Sequence, residues 1–222
     1  MSVTIRIDPS IEPRLNAIKA MPVPMPEQER QKYGVKDLRA GSYFRIKDGI
    51  QDRTFQVLDF YRYAEAEKKG GEWREEKNAD LWFELKVLCL NNGREMFVEM
   101  EEDDELLVFM GVKSIKMRAL QVMGKNTVGL TEEDLDRFEE EDEGKIKYEG
   151  EVFEYEDDGD GLFFKEGKDG IHFFYYDFEN EKGDRVIGVE GWGDEENPDY
   201  EVSLGQKVNP KTIEVLVDGG AN

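Results

Sequence analysis

The chain has 222 residues, 38% hydrophobic and 37% charged, with a formal net charge of −22. That supply of apolar side chains suits one large domain or two small β units with a real core. A negative field of this size repels nucleic-acid phosphates and anionic lipid, and it attracts cations, polyamines or basic protein surfaces.

Met1 to Ile7 carries Arg6 in an alternating pattern and has no apolar stretch, so a strand is expected over Val3–Ile7 and a secretory signal is not. Ser10 can cap a short helix over Ile11–Ala20. The alternating prolines Pro22, Pro24 and Pro26 then forbid a helix, giving a stiff linker, a strap over the body or a docking strip for a partner. Residues 1–50 carry nine basic and six acidic side chains, so the negative charge lies beyond them.

From Val35 the pattern is β. Tyr43–Ile46 and Phe55–Tyr63 predict strands, and Lys68–Gly71 a flexible loop before Trp73. Trp82–Leu90 and Glu95–Met100 flank Asn91-Asn92-Gly93, a hairpin signal because Asn and Gly tolerate positive φ. Leu106–Phe109 and Ser114–Leu120 predict weaker strands. Thr131 reads as the N-cap of an acidic helix running to about Glu140, with Leu135 and Phe138 on one face. Lys145–Glu156, Leu162–Lys165, Ile171–Phe178, Arg185–Val189, Tyr200–Leu204 and Thr212–Val217 predict further strands, with turns at Asp157–Gly161 and Glu179–Gly183. No run of about 18 apolar residues offers a membrane span.

Two hairpins resemble each other at a constant offset of 91: Phe83 aligns with Phe174, Arg94 with Arg185, Val98 with Val189 and Glu99 with Glu190. A true repeat makes the chain two related β units, whereas chance leaves one β domain. The expected class is therefore mainly β: two related barrel- or sandwich-like antiparallel β units with one short acidic helix between them. The corresponding division is an N-terminal extension (1–34), a first unit (35–120), a connecting helical segment (121–143), a second unit (144–217) and a tail (218–222).

Tyr176-Asp177, Val189-Glu190-Gly191-Trp192, Tyr200-Glu201, Gly205 and Ile213-Glu214-Val215 look like the end of the prokaryotic domain-of-unknown-function family 4178. The first half is similar to it in Leu38-x-x-Gly41, Trp82–Leu85 and Asn92-Gly93. The resemblance covers roughly Val35 to Val217 and implies no catalytic set. Members are often encoded near membrane-stress proteins, band-7 proteins and enzymes resembling polyamine synthases, which implies an accessory role around membranes or small cationic metabolites.

The chemistry-bearing residues are few. His172 is the only histidine and lies in an aromatic run, where a hydrogen-bonded strand position is the ordinary reading. Cys89 is the only cysteine, so no internal disulfide forms. Its apolar neighbours blunt its reactivity, and its isolation fits a reducing, cytoplasmic setting. No phosphate loop, dinucleotide fingerprint or Gly-x-Ser-x-Gly elbow occurs, and Cys and His are too few for zinc.

Glu156-x-Asp158-x-Asp160-Gly161 imitates the opening of a calcium loop, but its twelfth position is Gly167 where a Glu belongs. Glu99 and Glu190 each end a strand, the latter near Trp192, as a carboxylate pair or as ion-pair partners of Arg94 and Arg185. The acidic helix offers Glu132, Glu133, Asp136, Glu139 and Glu140, with Trp192 elsewhere, as partner-binding candidates.

The leading expectation is a non-enzymatic binding or adaptor protein with a strongly acidic surface. It needs no cofactor, and its partner is a basic protein surface or a polyamine rather than nucleic acid. One alternative is an acidic nucleic-acid mimic that inhibits a DNA-binding protein. The other is a carboxylate-dependent enzyme, which needs two acids facing each other beside aromatic walls.

Overall fold

The computed structural model describes residues 10–47, 52–77, 81–102, 105–126, 129–165, 169–194 and 197–219. The strand expected over Val3–Ile7 lies outside them. The helices are α1 (Glu12–Ala20), α2 (Glu27–Arg30) and α3 (Glu132–Glu141). The strands begin with β1 (Tyr43–Ile46), β2 (Arg53–Lys69), β3 (Glu72–Glu75), β4 (Leu81–Cys89), β5 (Glu95–Glu102), β6 (Leu106–Ile115) and β7 (Gln121–Val122). They continue with β8 (Lys145–Tyr148), β9 (Glu151–Lys165), β10 (Ile171–Asn180), β11 (Arg185–Asp194), β12 (Asn197–Lys207) and β13 (Ile213–Val217). The protein is mainly β, and the registers described are antiparallel.

Two compact units divide the chain: residues 1–60, 84–98 and 209–222 form one, residues 61–83 and 99–208 the other. Neither is one continuous stretch, whereas the sequence reading divides the chain into consecutive segments. Antiparallel pairing gathers strands that lie far apart in sequence.

In the first unit β13 pairs with β1, and β1 with the start of β2. Phe44 and Phe55 stack at 5.0 Å between those neighbours. Helix α1 starts from Ile11 with a proline in its first turn, not from a Ser10 cap. Its Ala17 packs with Tyr43, Leu88, Leu90 and Leu216, and the Tyr43 hydroxyl donates to the Ala17 carbonyl at 3.1 Å. The proline-rich segment behaves as a strap: the Met25 amide donates to the Leu216 carbonyl at 2.9 Å, while Val23 stays 91% exposed.

In the second unit one sheet face carries the main core. Phe153, Tyr176, Phe178, Ile187, Val189, Val202 and Leu204 meet Leu135 and Phe138 of α3. The amide and hydroxyl of Thr131 both donate to the Asp134 carboxylate, satisfying the start of α3 as the sequence expects. Strand alternation sends Phe174, Tyr176 and Phe178 to this face and Phe173, Tyr175 and Asp177 to the other.

The turn expected at Asp157–Gly161 is absent, since β9 runs unbroken through it. The turn falls instead at Glu149-Gly150, both with positive φ, between β8 and β9. Gly159 and Gly161 stay in the strand because rings of β10 lie over them: a Cβ on Gly161 would stand 2.4 Å from the Phe173 ring.

Strand order on either side of the two similar hairpins is the same. Pairing runs β1-β2-β4-β5-β6 and again β8-β9-β10-β11-β12. A 3-10 turn follows each series, at Met117–Ala119 and Pro210–Thr212. The short strands after those turns, β7 and β13, pair with β8 and β1, the opening strand of the other series. The Cys89 amide bonds the Arg94 carbonyl at 2.8 Å, and at the offset of 91 these residues become Asn180 and Arg185, which close the β10–β11 hairpin next to the Glu179–Val186 pair.

Candidate functional site

The face of the second unit opposite α3 is aromatic at one end and acidic at the other. Tyr61 and Tyr63 of β2, Trp82, Phe163, Phe173, Tyr175 and Trp192 form one cluster. Trp82 stacks on Tyr63 at 5.3 Å and meets Tyr175 edge-on at 5.5 Å; Phe173 stacks on Trp192 at 4.7 Å. These rings lie flat because glycines oppose them. Gly159 pairs with Tyr175, where a Cβ would come within 2.9 Å of the hydroxyl, and Gly161 pairs with Phe173.

Carboxyls line the rest of this face. Asp177 pairs across the ladder with Gly188, and Glu190 with Tyr175, which makes the two acids diagonal neighbours on one face. Both are half-buried on this sheet face. Burial, then Glu190, Glu101 and Asp157, push the Asp177 carboxyl up to about 8. Burial lifts Glu190 to about 7, with Glu201 adding to the rise and the Trp192 indole N–H, donating at 3.1 Å, restraining it. Burial and Asp158 also raise Asp157, which accepts from the Tyr175 hydroxyl. Among the described residues, the charged groups that act on Asp177 and Glu190 are acids.

Of the residues singled out in the sequence, Glu190 and Trp192 belong to this face. Glu190 has Asp177 and Glu201 as acidic neighbours. Arg185 pairs with Glu151 rather than with Glu190. Asp177 enters the sequence reading only within the Tyr176-Asp177 pair of the family resemblance and not as a site residue, because nothing local distinguishes an acid in an aromatic run; its pairing partner Gly188 and the facing strands bury it.

The calcium reading is corrected. Glu156, Asp158 and Asp160 lie along the extended strand β9, where no loop wraps an ion. Asp158 instead accepts from the Tyr155 hydroxyl, and Asp160 meets His172 Nε2 at 2.7 Å. Among the described residues no three acids, histidines or cysteines gather as a metal would need. His172 stacks on Trp73 at 3.9 Å, and Cys89 is buried.

The helix candidates stand apart from Trp192, on the other side of the sheet. Glu132, Glu133, Asp136, Glu139 and Glu140 are all exposed. Glu132 and Asp136 approach Tyr200, and Glu139 accepts from the Tyr176 hydroxyl at 3.5 Å, its carboxyl raised by burial and by Asp158.

Fold and site define an antiparallel β protein in which one sheet face carries an aromatic cluster beside half-buried acids. Over residues 49–210 the chain matches the family described as Domain of unknown function (DUF4178), and it belongs to that family. No curated protein and no solved structure matches it. No helix among the described residues is long and apolar enough to cross a membrane.

Proposed function

We propose that the second unit is a binding module for a ligand carrying an organic ammonium group, such as a polyamine or a basic protein side chain. The observation that carries this reading is the diagonal pair Asp177 and Glu190, set on one face with acids as the charged neighbours among the described residues and beside the rings of Trp192, Tyr175 and Phe173. A cation there replaces protons and relieves mutual repulsion. It also gains about 0.5–2 kcal/mol from an aromatic face once desolvated. The two strand series are read as related copies, of which the second holds these acids.

Calorimetry with spermidine at low millimolar concentration tests the reading. Binding should weaken with salt, strengthen as pH rises from 6 to 8.5, and fall at least tenfold in Asp177→Asn and Glu190→Gln. Absence of heat from spermidine and from lysine-rich peptides alike would sink it.

A second reading, carboxylate-dependent catalysis, is favoured by Glu190, whose carboxyl near 7 beside an indole suits a general acid. It requires turnover of an acid-labile substrate, with glycosides as the first panel, that Glu190→Gln abolishes.

A further inference from the structure

The proline-rich segment has no part in the binding reading, yet its placement is specific. Among the described residues β13 stands at one end of the order of paired strands, with β1 along one of its edges. The register with β1 shifts between Tyr43 and Phe44 and skips Leu216, whose carbonyl accepts from the Met25 amide instead. An open strand edge is a template for a strand from another chain. Here a segment of the same chain lies against it.

Two further contacts hold that segment in place. Met21 packs on the cluster that contains Tyr43, Leu90 and Leu216. On α2, Arg30 pairs with Glu214 of β13 at 2.7 Å, both side chains being mostly buried, and Lys47 reaches the other oxygen of that carboxylate at 3.0 Å.

The composition of the segment makes it a cover and not a further strand. Pro22, Pro24 and Pro26 have no N–H, and the Met25 N–H is taken by Leu216. Within that stretch only Val23 is left to donate, too little for another strand to build a ladder on.

Charge also bears on what the cover excludes. Residues 1–60, 84–98 and 209–222, the unit that holds β13, carry thirteen basic and twelve acidic side chains, against seventeen and forty in the other unit. The repulsion between copies that a net charge of −22 implies is therefore concentrated in the other unit. The near-neutral unit is the one through which two copies can meet.

We propose that residues 21–30 are an edge guard: they keep β13 from pairing with β13 of a second copy, and releasing them turns the protein into a dimer joined along that strand. A pairing of this kind is two-fold and closes on itself.

Sedimentation velocity of the full chain, from micromolar to near-millimolar concentration, tests the proposal. Wild type should sediment as a monomer. Met25→Pro deletes the donor while keeping the extended backbone, and Arg30→Ala deletes the ion pair; the double variant should dimerise at least tenfold more tightly than wild type. Arg30→Lys keeps a cation for Glu214 and should behave as wild type. So should Arg62→Ala, whose guanidinium pairs with Glu75 in the other unit.

Hydrogen exchange locates the contact. The amides of residues 213–217 should exchange faster in the dilute double variant than in wild type, and more slowly once it dimerises. If the double variant does not fold, Met25→Pro alone should shift the equilibrium in the same direction. A variant that stays monomeric at every concentration, wild type that dimerises as tightly as the variant, or a dimer whose 213–217 amides remain unprotected overturns the inference. None of these outcomes bears on the ammonium reading, whose acids lie in the other unit.

Discussion

Replacing Asp177 with Asn removes a charge that the fold disfavours while keeping nearly the same shape. The carboxyl moves from an ordinary 3.8 to about 8 on folding, a rise of roughly four units at about 1.4 kcal/mol each, or about 6 kcal/mol at most. The carboxyl is half-buried, and screening leaves about half of that, roughly 3 kcal/mol. The acids facing it are Glu190 on β11, Glu101 on β5 and Asp157 on β9.

A carboxyl whose pKa is higher folded than unfolded holds its proton more tightly when folded. It costs the fold nothing below about pH 4, and the cost grows until about pH 8. Urea denaturation of wild type and Asp177→Asn should therefore coincide at pH 4 and diverge with rising pH, the variant being more stable by about 3 kcal/mol at pH 8.5. An equal difference at both pH values, or a destabilised variant at pH 8.5, would refute the account of this carboxyl.

Trp192→Phe removes the N–H that restrains Glu190, so the Glu190 carboxyl should titrate above 7 when followed by carboxyl carbon NMR; an unmoved midpoint contradicts that role. Gly161→Ala drives a methyl into the Phe173 ring, itself stacked on Trp192, and should cost about 1–3 kcal/mol in denaturant unfolding. Thr131→Ala deletes a hydroxyl donor to the buried Asp134 carboxylate and the cap of α3. It should cost about 1 kcal/mol by the same measurement.

Strands such as Tyr43–Ile46 and Ile171–Asn180 were legible from their aromatic and β-branched residues, the strand expected over Ser114–Leu120 gives way to a 3-10 turn at Met117–Ala119, and the Thr131 helix start was legible from its cap and acidic first turn. The Glu149-Gly150 turn was not, because glutamate carries no preference for positive φ and the conspicuous glycines lay further on. Those glycines, Gly159 and Gly161, are answered by Tyr175 and Phe173 on another strand, a relation no local pattern encodes. For the site, Glu190 and Trp192 stood out by adjacency. Asp177 did not, since its environment is assembled from β5, β9 and β11. The offset between hairpins is visible in the sequence, whereas the order of the strands on either side of each hairpin is not.

The pairing of β13 with β1 bears on how the protein emerges during synthesis. Arg30 and Glu214 form an ion pair across 184 residues of sequence, which a ribosome takes roughly ten to forty seconds to traverse. Every segment of the second unit is translated by Val208, whereas the first unit still awaits residues 209–222. The unit begun first is thus finished last. Until β13 arrives, β1 presents an unpaired edge on the nascent chain, so the first unit is the part most exposed to chaperones and to pairing with other chains.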